Sequence, residues 1–216
     1  MFCTANGVRL FYEVSGSGAP LILVHGNSED HTIFDLAAEE LSRSHTVYTP
    51  DSRCHGQSTD TEEISYDLMA DDLIGFIKEL RLEKPVFYGF SDGGILGLLI
   101  AMRAPGLLGK LIVSGANLDP EGLQPADREI IRKIAARGNK LFRMMEREPH
   151  IAPADLSNIT VPTVVLAGEQ DLILPEHTRL IADSIPGAVL EIIPGEDHSS
   201  YIVHSRKLVP ILKNYL

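Results

Sequence analysis

The chain has 216 residues, with 19 Lys plus Arg against 30 Asp plus Glu, a formal net charge of −11. That length fills one sizeable domain rather than two, and the acidic balance without any Lys/Arg run argues against nucleic acid or an anionic membrane as the main partner. Two cysteines, Cys3 and Cys54, suit a reducing compartment, the start of the chain has no basic segment leading into an apolar one, and the longest apolar run, 95–102, falls far short of a membrane span, so the expectation is a soluble cytoplasmic protein.

Asn6-Gly7 between two short apolar runs is a hairpin signal, with Val8 to Val14 as its second strand. After a turn at Gly16 to Pro20, Leu21-Ile22-Leu23-Val24 reads as a buried strand. A helix follows from Asp30 to Ser42, with Phe34, Leu36, Ala37 and Leu41 as its apolar positions. Strand Thr46 to Thr49 leads through a polar loop at 51–63 to a helix from Tyr66 to Leu80. Pro85-Val86-Phe87-Tyr88 is a short strand, and Ile95 to Met102 is apolar all round, as a buried helix is. Strand Leu111 to Ser114 comes next, then a polar, helix-rich insert at 119–158 with helices at 125–137 and 139–148. The pattern resumes with strand Thr163 to Leu166, helix Pro175 to Ser184, strand Val189 to Ile193 and a C-terminal helix over 199–214. Alternating strands and helices predict an α/β fold. Its central sheet is mostly parallel and covered by helices on both faces, with an N-terminal antiparallel hairpin.

In such a sheet, chemistry belongs at the carboxyl ends of the strands. His25-Gly26-Asn27, Asp51, Ser91, Asp119, Asp171 and His198 all fall at such ends. Between the Val86 strand and the Ile95 helix stands Gly89-Phe90-Ser91-Asp92-Gly93, a G-x-S-x-G core in the strand–turn–helix setting of a nucleophile elbow. Outside that setting the pentapeptide is an ordinary Gly-rich turn. A serine nucleophile needs a base, and the base needs an orienting carboxylate. His198, after the last strand, is the predicted base, with His55 as its rival in a polar loop. Asp171, after the penultimate strand, is the predicted acid. Its rival Asp119 opens the insert next to Pro120, where aspartate commonly starts a turn. The oxyanion donors are assigned by position to the backbone N–H groups of Asn27 and Asp92. The Asp92 carboxylate suits the first turn of a helix and is expected to point away from the site. No cofactor is implied, and no metal-ligand cluster is evident.

Several further segments reinforce this pattern. They are Tyr12-Glu13 with Gly16 and Gly18, Pro20 through Gly26, Asp51-x-Arg53-x-His55-Gly56-x-Ser58, the elbow, Gly168-x-x-Asp171 and Gly195-x-x-His198. Together they resemble the α/β-hydrolase fold superfamily over nearly the whole chain. The resemblance implies a structural role for the Asp51–Ser58 loop, bracing the oxyanion turn, with Cys54 where relatives usually carry glycine. It also implies a core of 1–118 and 159–216 with 119–158 as a short helical cap, smaller than is common in relatives. Ile130, Ile131, Ile134, Leu141, Phe142, Met144 and Met145 of this cap either line a pocket over Ser91 or pack the cap onto the core. Serine at 91 sets the chain apart from relatives with an aspartate nucleophile, such as epoxide hydrolases and haloalkane dehalogenases. The resulting expectation is a Ser91–His198–Asp171 hydrolase of a small carboxylic ester or related acyl substrate. A ligand-sensing protein with little turnover is the alternative, as is a C–C hydrolase, lactonase, thioesterase or perhydrolase using the same residues.

Overall fold

The computed structural model describes residues 1–216. β1 (Phe2–Ala5) and β2 (Val8–Gly16) form the antiparallel hairpin. Asn6 and Gly7 both have positive φ, 48° and 79°, as a two-residue turn matched to strand twist requires. β3 (Ala19–Val24), β4 (His45–Pro50), β5 (Val86–Phe90), β6 (Lys110–Ser114), β7 (Thr163–Gln170) and β8 (Val189–Asp197) complete an eight-stranded sheet of order β1-β2-β4-β3-β5-β6-β7-β8. β2 pairs antiparallel with β4, and every later pairing is parallel.

The strands alternate in the face they serve. Ile22, Val24, Leu111 and Val113 point into one apolar layer, and Leu21, Leu23 and Ile112 into the other. The first layer is covered by α2 (Tyr66–Glu79), α3 (Asp92–Arg103) and α6 (Pro175–Ser184), through Met69, Leu73, Phe76, Leu96, Ile100 and Ile181. The second is covered by α1 (Asp35–Leu41) and the C-terminal segment, through Ala37, Leu41, Tyr201, Leu208 and Leu212. With both faces buried, the central strands are near-continuous apolar runs. Between β6 and β7 lie α4 (Pro125–Ala136) and α5 (Lys140–Arg147). No helix is long and apolar enough to cross a membrane.

Two expectations from the sequence differ from what forms. Residues 31–34 begin as a 3-10 turn capped by Asp30 rather than as α-helix. The expected C-terminal helix over 199–214 shrinks to α7 (Leu208–Lys213). Asp197 Oδ1 accepts the N–H groups of both Ser199 and Ser200 at 2.8 Å, which stabilises a turn there. His204 takes a left-handed φ of 47°, which no continuous α-helix tolerates. The local turn chemistry of Asp and Ser outweighs the apolar periodicity.

A buried ion pair ties the loop after β4 to α2. Arg53 Nε and Nη2 donate to the two Asp72 oxygens at 2.6 Å each, and Asn6 Nδ2 adds a bond of 3.0 Å from the hairpin turn. The Arg53 guanidinium is held further above its usual range by this bidentate bond. Removing one partner strands the other's charge in a dry site, typically about 3–5 kcal/mol destabilising. Asp72→Ala should therefore lower stability by about that amount in urea unfolding, and a loss near zero would show that water reaches Arg53.

Candidate active site

Ser91 sits between β5 and α3 with φ 53° and ψ −115°, a strained conformation for a residue with a side chain. The strain is held in place from both sides. Ser91 N–H donates to Ser114 O at 2.8 Å, and Gly93 N–H donates to His25 O at 3.1 Å. The turn is so tight that a Cβ on Gly93 would lie 2.2 Å from Val24 O, and one on Gly89 would lie 2.0 Å from Gly93 O. Glycine at 89 and 93 is thus a steric requirement of bringing α3 this close to the ends of β3 and β5.

The bulge that ends β7 and the extension of β8 bring two loops together beside the serine. His198 Nε2 lies 3.1 Å from Ser91 Oγ, and His198 Nδ1 lies 2.6 Å from Asp171 Oδ1. Asp171 is buried, and its oxygens also accept Ile173 N–H at 3.0 Å and Gly168 N–H at 3.2 Å, which fix the carboxylate's orientation. An imidazole with a carboxylate on Nδ1 carries its proton there and turns a basic Nε2 toward the serine. The Phe90 ring, 4.9 Å from the imidazole, backs it on one side.

The rival residues go elsewhere. Asp119 accepts Glu121 N–H at 2.7 Å and starts the short helical turn at Pro120–Gly122. His55 is buried, with Nδ1 at 2.8 Å from Arg53 O and its ring 5.1 Å from that of His25. Burial, and then the neighbouring His55, push the His25 imidazole down to about 4, so it is neutral at pH 7. Its Nε2 accepts Ser52 N–H at 3.0 Å, which places the proton on Nδ1, donating to Gly26 O at 2.7 Å. The loop that begins at Asp51 thereby braces the turn after β3. Cys54 in that loop has φ 62°, a conformation that glycine adopts freely.

The N–H groups of Asn27 and Asp92 donate to no protein acceptor, whereas Gly26 N–H donates to Glu29 Oε2 at 2.9 Å. The Asp92 side chain is directed to the Tyr66 hydroxyl, at 2.7 Å, and to Asn27 Nδ2, at 3.1 Å. Burial raises its carboxyl above the usual range, opposed chiefly by the Tyr66 hydrogen bond.

A cavity of about 170 Å³ opens over Ser91 and His198, walled by Phe90, Leu172 and, from α5, Phe142 and Met145. The apolar residues of the insert thus divide. Phe142 and Met145, three apart on one helix face, line the cavity, while Met144 joins the main core and Ile131 packs with Leu123 and Ile173. Ile130 is exposed. Asn27 Nδ2 also reaches Leu141 O at 3.5 Å, linking the turn after β3 to α5. Asp30, His31 and Asp51 bring potential ligand atoms within 4.8 Å of one another. Their carboxylates, however, already accept Thr32 N–H, His31 N–H and Gln57 N–H at 2.8–2.9 Å, which makes them turn supports rather than a ligand set.

A parallel α/β sheet that sets a serine, a histidine and a buried aspartate in hydrogen-bonded series at its carboxyl edge is the architecture of a hydrolase. The family model described as "Alpha/beta hydrolase family" matches residues 21–153, and the chain belongs to that family and is an enzyme of it. It is 26% identical to the 2-hydroxymuconate semialdehyde hydrolase of Pseudomonas sp. strain CF600, over 98% of this chain and 92% of that protein. It is 24% identical to the human serine hydrolase BPHL, over 98% and 84% respectively. Among solved structures, a thermophilic esterase from Thermogutta terrifontis superposes with a TM-score of 0.83 at 24% identity, covering 100% of this chain and 97% of that one.

Gly115 is a position that no sequence motif singles out. It has φ 62°, and a Cβ there would lie 2.6 Å from His198 Cε1 and 2.8 Å from Nδ1. Gly115→Ala should displace the imidazole, and a shift of about 1 Å in such a group can lower kcat on the order of 100-fold. Wild-type kcat in the alanine variant would mean that the imidazole does not need this position.

Proposed function

We propose that this protein is a serine hydrolase that cleaves small carboxylic esters or related acyl compounds through an acyl-enzyme. The observation that carries the reading is the series Ser91 Oγ, His198 Nε2 and Nδ1, and Asp171 Oδ1, with contacts of 3.1 and 2.6 Å at a strained elbow. Ser91 Oγ attacks the carbonyl carbon while His198 Nε2 takes the hydroxyl proton. The carbonyl oxygen becomes an oxyanion held by the N–H groups of Asn27 and Asp92, which no protein acceptor engages. As the tetrahedral species collapses, the imidazolium returns the proton to the departing alkoxide, leaving an ester on Ser91. Water then attacks that ester with His198 again as base, and the imidazolium returns the proton to Ser91 Oγ as the acid product leaves. Asp171 keeps the imidazole in the productive tautomer and stabilises its cation.

Residues 119–158 act in this reading as a short cap on a core of 1–118 and 159–216, with Phe142 and Met145 as the apolar wall against which an acyl or alkoxy group packs. A cavity of about 170 Å³ favours a small substrate over a long-chain lipid. The reading places the enzyme in the cytoplasm, acting on a small molecule without a cofactor.

Ser91→Ala should lower hydrolysis of activated short-chain esters by about 10⁴-fold or more, and an unchanged rate would remove the scheme. Continued turnover after a stoichiometric burst distinguishes an enzyme from a ligand sensor that stops at the acylated serine. Asp171→Asn should lower kcat by roughly 10⁴-fold, since it no longer fixes the tautomer, and Asp119→Asn should lower it far less. The reverse ranking would move the orienting role to Asp119 and leave Ser91 and His198 in theirs.

A further inference from the structure

The turn after β3 puts a carboxylate into the cavity that the proposed reaction does not use. Glu29 is half-buried, Oε2 accepts Gly26 N–H at 2.9 Å, and it lines the same cavity as Ser91 and His198. A Cβ on Gly26 would lie 2.8 Å from Glu29 Oε2 and 3.0 Å from Ser91 Cβ, so the carboxylate oxygen is at most about 6 Å from Ser91 Cβ and about 7 Å from the nucleophilic Oγ, a range over which charges interact strongly in a shielded site. Glu29 and His198 are the only titratable side chains among the residues lining the cavity, and neither lysine nor arginine is present there. An anionic substrate group seated in this cavity therefore finds no cation beyond the imidazole, and it faces Glu29.

Resting on the serine hydrolase reading, we propose that Glu29 is a specificity-determining residue. It admits esters whose cavity-bound portion is neutral or carries an ammonium group and rejects those bearing a carboxylate. The constraint is electrostatic rather than steric, because the apolar part of the wall, Phe90, Phe142, Met145 and Leu172, is adaptable, and the other polar side chains there, Asn27 and Ser199, are uncharged. Glu29 is also held in place, since its bond to Gly26 N–H fixes the oxygen within the turn. It cannot swing out to solvent without breaking that bond.

The same surroundings make the discrimination pH-dependent. Burial pushes the Glu29 carboxyl up to about 7, opposed by the Gly26 hydrogen bond and by His198. Asp92 on α3 and the neighbouring Asp30 raise it further, and its charge is felt in turn by the buried Tyr88 hydroxyl on β5. Above about pH 7 the group is ionised and repels a carboxylate, whereas below that it is neutral and the repulsion fades. Any effect of pH common to the two esters cancels in the ratio of their rates.

The test compares p-nitrophenyl hexanoate with mono-p-nitrophenyl adipate, equal in chain length and different in terminal charge, each corrected for spontaneous hydrolysis. In the wild-type protein the adipate-to-hexanoate ratio of kcat/KM should fall as pH rises from 5.5 to 8.5. In Glu29→Gln, which retains an oxygen for Gly26 N–H, the ratio at pH 8 should rise on the order of tenfold and lose its pH dependence. A ratio that is flat with pH and equal in both proteins overturns the role of Glu29, while hexanoate turnover that requires Ser91 leaves the hydrolase reading intact. Absence of Ser91-dependent turnover of either ester removes both. Should Glu29→Gln fail to fold, the wild-type pH series alone decides.

Discussion

The structure depends on holding one serine in a backbone conformation that its side chain disfavours. Such strain costs on the order of 1–3 kcal/mol and persists only where the surroundings over-determine it. Here the surroundings are two neighbouring strands and a helix. β6 accepts the Ser91 N–H, His25 in the turn just after β3 accepts the Gly93 N–H, and α3 presses against the end of β3 so closely that position 93 has no room for a Cβ. Each of these contacts joins segments far apart in sequence, so the elbow exists only when the sheet has assembled. The buried apolar strands around it therefore serve the site directly, since they supply the energy that keeps Ser91 strained.

Much of this was legible in the sequence because it is carried by short-range chemistry. The G-x-S-x-G segment, the Asn6-Gly7 hairpin and the run Leu21 to Val24 each encode a local conformation or a burial state. The strand-end positions of Asp171 and His198 followed from counting elements, and the structure brings His198 to Ser91 and Asp171 to the other side of His198. What was not legible depends on direction rather than position. Nothing in His25-Gly26-Asn27-Ser28-Glu29 tells whether Glu29 points to solvent or folds back onto Gly26, because a turn of this length permits both. Likewise Gly115 reads as a residue after a strand, and only the packed His198 ring makes its missing Cβ necessary. The C-terminal helix is shorter than the sequence pattern predicts for the opposite reason. Apolar periodicity was visible across 199–214, but the Asp197 cap and the left-handed His204 follow from hydrogen bonds that hydropathy does not record.

Asp72, Asp92 and His25, buried behind the site, follow one rule: each is hydrogen-bonded and its charge is either paired or suppressed. Asp72 is paired with Arg53, Asp92 takes the Tyr66 hydroxyl and the Asn27 amide, and His25 stays neutral. Unpaired charge in such a place would cost more than the fold can spare. These pairs also link separate elements. The Asn27 amide bridges the turn after β3 to Asp92 on α3 and to Leu141 on α5. The two N–H groups proposed to bind the oxyanion belong to two of these bridged residues, so their spacing is fixed by side chains that never touch the substrate.

Glu29 is the departure from that rule, and it lies where a departure has consequences. Its one hydrogen bond, to a backbone N–H, leaves its charge unpaired in a cavity beside the nucleophile. A neutral glutamine would cap Gly26 as well, so the capping bond alone does not call for a carboxylate. An oxyanion forming nearby also gains nothing from a second negative charge. A group that is unhelpful to the transition state and unnecessary to the turn is best explained by what it does to the ground state, namely deciding which substrates enter. The proposed roles thus separate two tasks within three residues. In the proposed scheme Asn27 offers a backbone donor to any acyl group, and Glu29 discriminates among acyl groups by charge.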